Sequence, residues 1–102
     1  MTVVTIFRSR LREGVDDAYV EVATHMSRLV RDMDGFLSEK FYLSPDGERV
    51  TIVRFRDADS QRKWAEHPEH RVAQQRGRDE FYLWYDITVA DESYARTFSA
   101  QR

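Results

Sequence analysis

The chain opens on Thr2-Val3-Val4-Thr5-Ile6-Phe7-Arg8, which puts β-branched and aromatic side chains on both alternating faces. That pattern predicts a central strand covered on both sides. Gly14 breaks the run, and Asp16 and Asp17 then place negative charge where the N-terminus of a helix favours it. Ala18, Tyr19, Val22, Ala23, Met26, Leu29, Val30 and Met33 follow at three- and four-residue steps, the apolar stripe of a helix. Asp34-Gly35 ends it, because glycine accepts the left-handed conformation that helix C-termini often need. Two strand-like runs, Phe36 to Leu43 and Arg49 to Arg56, flank Ser44-Pro45-Asp46-Gly47 and predict a β-hairpin. A second helical region starts after Asp57, is interrupted or kinked at Pro68, and stops at Gly77. The run from Glu80 to Ala90 has the strongest β-propensity in the chain. Asp91 to Arg102 forms a polar tail with Tyr94 and Phe98 one helical turn apart.

The order is βαββαβ, a ferredoxin-like α+β plan in which two helices cover one face of a four-stranded antiparallel sheet. One domain spans residues 1–102, its core about 2–90 and its tail 91–102. Apolar residues left over on the second sheet face make a patch too large to leave wet. A self-complementary homodimer, sheet against sheet, covers it economically and makes a dimeric α/β barrel.

Composition narrows the function. With 16 basic and 18 acidic side chains interspersed and a net charge of -2, the chain offers no footprint for nucleic acid. No apolar stretch approaches the ~18 residues of a membrane span, and the N-terminus lacks an export signal, so no membrane partner and a cytoplasmic location are expected. The absence of Cys removes disulfides, thiolate nucleophiles and thiolate metal sites.

Three histidines are candidates for chemistry. His67 and His70 flank Pro68, which disturbs the helical face a metal-binding pair would use, so no metal site is expected. Either imidazole can act as a general base near neutral pH. The structural alternative is that His67 ends a short helix with its ring capping carbonyls, while His70 packs beside the sheet. His25 lies at the edge of the first helix's stripe, either facing a cavity between helix and sheet or half-exposed. Trp64 is a pocket wall or a core residue. Phe81, Tyr82, Trp84 and Tyr85 supply core, interface or ligand-contacting hydroxyls. Arg8 and Arg54 sit within strand patterns, where pairing with Asp86 or Glu39 would be structural and pairing with an anionic substrate functional.

The segment from Trp64 through His67-Pro68-Glu69-His70-Arg71, Ala73-Gln74 and Gly77-Arg78, with Glu80-Phe81-Tyr82, Tyr85 and Val89-Ala90, resembles the antibiotic biosynthesis monooxygenase family of dimeric α/β-barrel proteins. The likeness runs from about Thr2 to Ala90. It implies oxygen chemistry on aromatic compounds, or haem degradation, or quinol oxidation. In both the haem-degrading and the cofactor-free branches of the family an Asn amide assists the oxygen chemistry, and this chain contains no Asn. The haem-degrading branch's Asn-Arg pair on the first strand aligns with Phe7 and Arg8, and its iron-ligating His aligns with Gln74, a poor haem ligand. Trp64 of that set is retained.

The resemblance therefore implies a monooxygenase that needs no metal or flavin and acts on a small aromatic or quinol-like molecule. His70, or His25, takes the substrate proton, and Trp64 and Phe7 shape the pocket. His67, Gln74, Tyr82 and Arg8 are the further ligand contacts. Two other readings stand beside it: a cofactor-free isomerase or cyclase, and a non-catalytic haem- or ligand-binding dimer with His25, His67 or His70 as axial ligand.

Overall fold

The computed structural model describes residues 1–101. Its elements are β1 (Val3–Leu11), α1 (Asp16–Arg31), β2 (Phe36–Leu43), β3 (Arg49–Phe55), α2 (Ala58–Ala65), α3 (Pro68–Arg76), a π-helical turn (Gly77–Phe81) and β4 (Tyr82–Asp91). The strands form one antiparallel sheet in the order β2-β3-β1-β4, the ferredoxin-like arrangement.

Period-two alternation decides what each strand offers to each side. Val3, Thr5, Phe7 and Ser9 of β1 pair with Phe55, Val53, Thr51 and Arg49 of β3, and these are the positions that face the helices. Val30 of α1 and Trp64 of α2 close on Val53 and Phe55, with Met26, Leu29, Met33 and Phe36 packed around them. Burying four large apolar side chains at about 1.5–3 kcal/mol each makes this cluster the main anchor of α1 and α2 on the sheet.

Three local differences from the sequence expectation have physical causes. The second helical region is two helices rather than one kinked one: α2 ends at Ala65, and Pro68 opens α3 at a position where its missing N–H costs nothing. The helix does not stop at Gly77, whose φ of -58° is helical; it continues as a π turn to Phe81, so β4 begins at Tyr82 rather than Glu80. Gly77 serves instead for close approach, since a Cβ there would lie 2.5 Å from Cε2 of Tyr82. The π turn is held by Arg12, whose guanidinium donates to the carbonyls of Arg78, Asp79 and Tyr82 at 3.0–3.2 Å.

Gly35, with φ +85°, does turn the chain after α1, and it faces Ser60 so closely that a Cβ would collide with its hydroxyl. Residues 92–101 carry no regular secondary structure, and Tyr94 and Phe98 are exposed. The tail is tied at its start, where Glu92 N–H donates to the Thr2 carbonyl and its carboxylate accepts from Arg54 at 3.1 Å. The tail expectation for Arg102 lies outside the described residues.

Candidate functional site between the helices and the sheet

A cavity of about 650 Å³ opens between the helical layer and the sheet. That volume is in the range of small-molecule sites. Its floor is the helix-facing side of β1 and β3 with Phe41 of β2, and its walls come from α1, Trp64 of α2, and His70, Ala73 and Gln74 of α3. Tyr82 and Tyr85 close it from β4.

The most organised corner is built on Trp64. The indole is 7% exposed, and the imidazole of His70 lies flat against it, with centroids 4.1 Å apart and planes 14° from parallel. His70 Nδ1 is 2.9 Å from the Trp64 carbonyl oxygen. A carbonyl can only accept, so Nδ1 carries the proton and Nε2 holds the lone pair. Among the described residues nothing hydrogen-bonds to Nε2. Burial holds the imidazole below the usual histidine range, the Trp64 carbonyl opposes this, and nearby His67 adds to it. His70 is thus a neutral, oriented base on the cavity wall. Gln74, one turn along α3, donates its amide to the Ala65 carbonyl at 3.2 Å and lies 3.4 Å from His70 Nδ1.

Opposite stands an aromatic group. Phe7 stacks on Tyr85 at 5.3 Å and meets the edge of Tyr82 at 5.5 Å, while Tyr82 in turn meets Tyr19 at 5.8 Å. The Tyr82 hydroxyl donates to that of Tyr19 at 3.5 Å. Burial pushes the Tyr82 phenol far above its ordinary value, with Tyr19 adding and Arg49 opposing, so it remains a protonated donor.

Trp64, His70, Phe7, Gln74 and Tyr82 are therefore brought together around one cavity. Four other candidates are placed elsewhere. Arg8 lies on the opposite face of the sheet, one residue out of phase with Phe7, and pairs with Glu48 at 2.9 Å and Asp86 at 3.1 Å. The Asp86 partnership is the structural one anticipated from the strand pattern. For Arg54 the partner is Glu92 rather than Glu39, which instead accepts from Ser27 and Arg31. His67 is the N-cap of α3, its ring accepting from the Glu69 N–H at 3.2 Å. It caps an amide and not carbonyls because a new helix starts there, and a helix start leaves donors unpaired. His25 is half-exposed in a groove between α1 and α3, with Nε2 3.0 Å from Glu69 Oε1. The stripe of α1 turns Met26, not His25, toward the cavity.

One residue of this cavity escaped the sequence reading. Arg49 projects from β3 into it, its guanidinium 4.5 Å from the ring centroid of Phe41 and 4.9 Å from that of Tyr19. The signal was available in the alternation Arg49, Thr51, Val53, Phe55, which sets the arginine on the same face as two core residues.

Residues 2–76 match the antibiotic biosynthesis monooxygenase family. The chain belongs to that family. It is 31% identical over 90 residues to YqjZ, an uncharacterized protein of Bacillus subtilis (strain 168), covering 88% of this chain and 79% of that one. Rv0793 from Mycobacterium tuberculosis superposes with a TM-score of 0.84 at 21% identity, over 95% of this chain and 100% of its own. SnoaB, a cofactor-independent oxygenase from Streptomyces nogalater, superposes with a TM-score of 0.77 at 14% identity, over 92% and 95% of the two chains.

Phe7 is packed among tyrosine rings, and Gln74 commits its amide to a backbone carbonyl. Of the three histidines only His70 lines the cavity, so it alone offers a ring nitrogen there. Among the described residues, no three His, Cys, Asp or Glu side chains gather as a metal site, and no helix is long and apolar enough to cross a membrane.

Proposed function

We propose that this protein is a monooxygenase that works without metal or flavin on a small aromatic, quinol-like compound held in the cavity between helices and sheet. One observation carries the reading: a neutral histidine, its tautomer set by the Trp64 carbonyl and its Nε2 without a hydrogen-bond partner among the described residues, lines an aromatic-walled cavity. Family membership and the likeness of its fold to a cofactor-independent oxygenase support it.

In this scheme the substrate stacks in the aromatic cavity and gives a proton to His70 Nε2. The Tyr82 hydroxyl, held protonated by burial, turns its one proton from the long 3.5 Å contact with Tyr19 to the anion that forms. An electron-rich anion can pass an electron to dioxygen, and the resulting radical pair combines to a peroxide. Cleavage of the O–O bond then leaves one oxygen on the carbon as a carbonyl. The other departs as water with the two hydrogens lost from that carbon. The substrate supplies every electron, so no further reductant enters. With no Asn in the chain, this route asks the Tyr82 hydroxyl to hold the anion.

The test is oxygen uptake with anthrone-type phenols, whose keto form carries both hydrogens on the carbon to be oxygenated. Uptake with one of them is expected, together with a loss in kcat of about 100-fold or more in His70→Gln, the usual scale of a general base. Full turnover by that variant would remove His70 from the mechanism. Conversion of a bound compound without oxygen uptake would replace the oxygenase by an isomerase or cyclase using the same base.

A further inference from the structure

Arg49 is the cavity's unexplained charge. Among the described residues seven arginines pair with carboxylates, and Arg12 and Arg78 bond to backbone or side-chain acceptors. The Arg49 side chain makes no hydrogen bond or ion pair among the described residues, and its Nε is buried without a partner. A cation in that position is costly unless something compensates it. Tyr19 and Phe41 supply part of the compensation through their ring faces. Ring contacts leave the in-plane N–H groups unused, and that planar fork matches a carboxylate better than any other group.

The surroundings agree in sign. The cavity wall includes Arg31, Lys40, Arg49 and Arg78 against the single carboxylate of Glu39, although the whole chain carries -2. Glu39 is already engaged by Ser27 Oγ at 2.8 Å and by Arg31, and so is not Arg49's counter-charge. Ser9, the direct cross-strand partner of Arg49, is 1% exposed and its hydroxyl also lacks a partner. Among the described residues Arg49 on the cavity floor and Ser9, its neighbour across the strand pair, are thus both left without a side-chain partner.

We infer that the substrate is an aromatic acid, its ring lying in the aromatic cavity and its carboxylate received by the guanidinium of Arg49. The inference rests on the cavity being the substrate site, as proposed above, and adds the class of molecule it selects. Arg49 acts here as a specificity residue, and it leaves proton transfer to His70.

The experiment is titration calorimetry at pH 7.5 with 2-naphthoate, its methyl ester and 2-naphthol, which share a ring and differ in charge. Wild-type protein is expected to bind the acid about tenfold or more tightly than the ester, the scale of a charge-assisted hydrogen-bonded pair. Arg49→Gln should bring the two Kd values within about twofold of each other, and Arg49→Lys should restore part of the preference as a point charge without the fork. An acid preference below about twofold in wild type, or one that survives in Arg49→Gln, overturns the assignment. So does 2-naphthol binding as tightly as naphthoate. If Arg49→Gln does not fold, the wild-type ratio and Arg49→Lys still decide. Oxygen uptake separates this from the reaction itself. An Arg49-dependent acid preference without uptake on any phenolic acid or quinol sinks the oxygenase alone, whereas uptake on neutral phenols without an acid preference sinks the Arg49 assignment alone.

Discussion

His70 owes its availability as a base to three contacts that act on different properties. The Trp64 carbonyl chooses the tautomer, the Trp64 ring fixes the plane, and burial keeps the proton off Nε2. Its folded pKa lies below that of the unfolded chain, so the unfolded state binds a proton that the native state refuses. Stability therefore declines as pH falls through about 6.5, the ordinary histidine value, and the decline ends below the lowered native pKa. Thermal melts at pH 8 and pH 5 should show a smaller acid-side loss in His70→Gln than in wild type. On the proposed mechanism the same group sets the activity profile: kcat/KM should hold at neutral pH and fall only on the acid side of the usual histidine range. Trp64→Phe retains the backbone carbonyl but gives up part of the covering ring, so its acid limb should move back toward the ordinary value. Trp64→Ala should cost about 3–5 kcal/mol by emptying a core position, measurable as a lowered urea midpoint.

At the scale of elements, the π turn between α3 and β4 determines where Tyr82 stands. Such turns add a residue to the helical register and are frequent at functional sites. Here Gly77 makes room for the Tyr82 ring, and Arg12 ties down three carbonyls across the turn. Gly77→Ala introduces a methyl 2.5 Å from Cε2 and 2.9 Å from Cδ2 of a ring already packed on Phe7 and Tyr19. A loss of about 1–3 kcal/mol is expected, as for other overpacked sites, and should be read as a lower Tm with weakened ligand binding. An unchanged Tm would mean that the ring has room to move. This element was invisible in the sequence because Gly77 reads as a helix stop and Glu80-Phe81 read as strand. Local propensity was overruled by what the tertiary fold requires around Tyr82. The hairpin, α1 and the helix break at Pro68 were legible because each is set by its own residues: turn formers, a continuous apolar stripe, and a missing N–H.

For the whole molecule, the sequence carried the βαββαβ order and the pairing of a helical layer with one sheet face. It could not assign the face of each strand, because β1 is apolar on both sides, and so Arg8 stayed a ligand candidate until the register placed it on the face away from the cavity. That same two-sidedness bears on assembly. The outer face sets Val4 and Ile6 of β1 beside Val50 and Ile52 of β3, with Ile6 directly opposite Ile52. The ion pairs of Arg8 with Glu48 and Asp86 cross the same face, and Arg8 also lies over Trp84 at 5.5 Å. The edge strand β4 is open on its other side too: Ile87 and Val89, paired with Phe7 and Thr5 on the helix-facing side, are each at least half-exposed.

An apolar sheet centre and an open apolar edge are a liability for a lone subunit in water. A two-fold pairing of sheets would cover Ile6 and Ile52 and would place the β4 edges near the partner. Light scattering at micromolar concentration should accordingly give twice the chain mass, and Tm should rise with protein concentration, as mass action demands of an associating fold. Ile52→Arg puts a charge at the middle of that face while leaving the cavity on the other side of the sheet unaltered, and it should give a monomer. If that monomer still binds 2-naphthoate as the wild type does, the cavity is complete within one subunit; if binding is lost with dimerisation, the partner helps to form it. A wild-type mass of one chain would show that the outer face and the β4 edge remain in water, with the Arg8 ion pairs and the twist of the sheet as their protection.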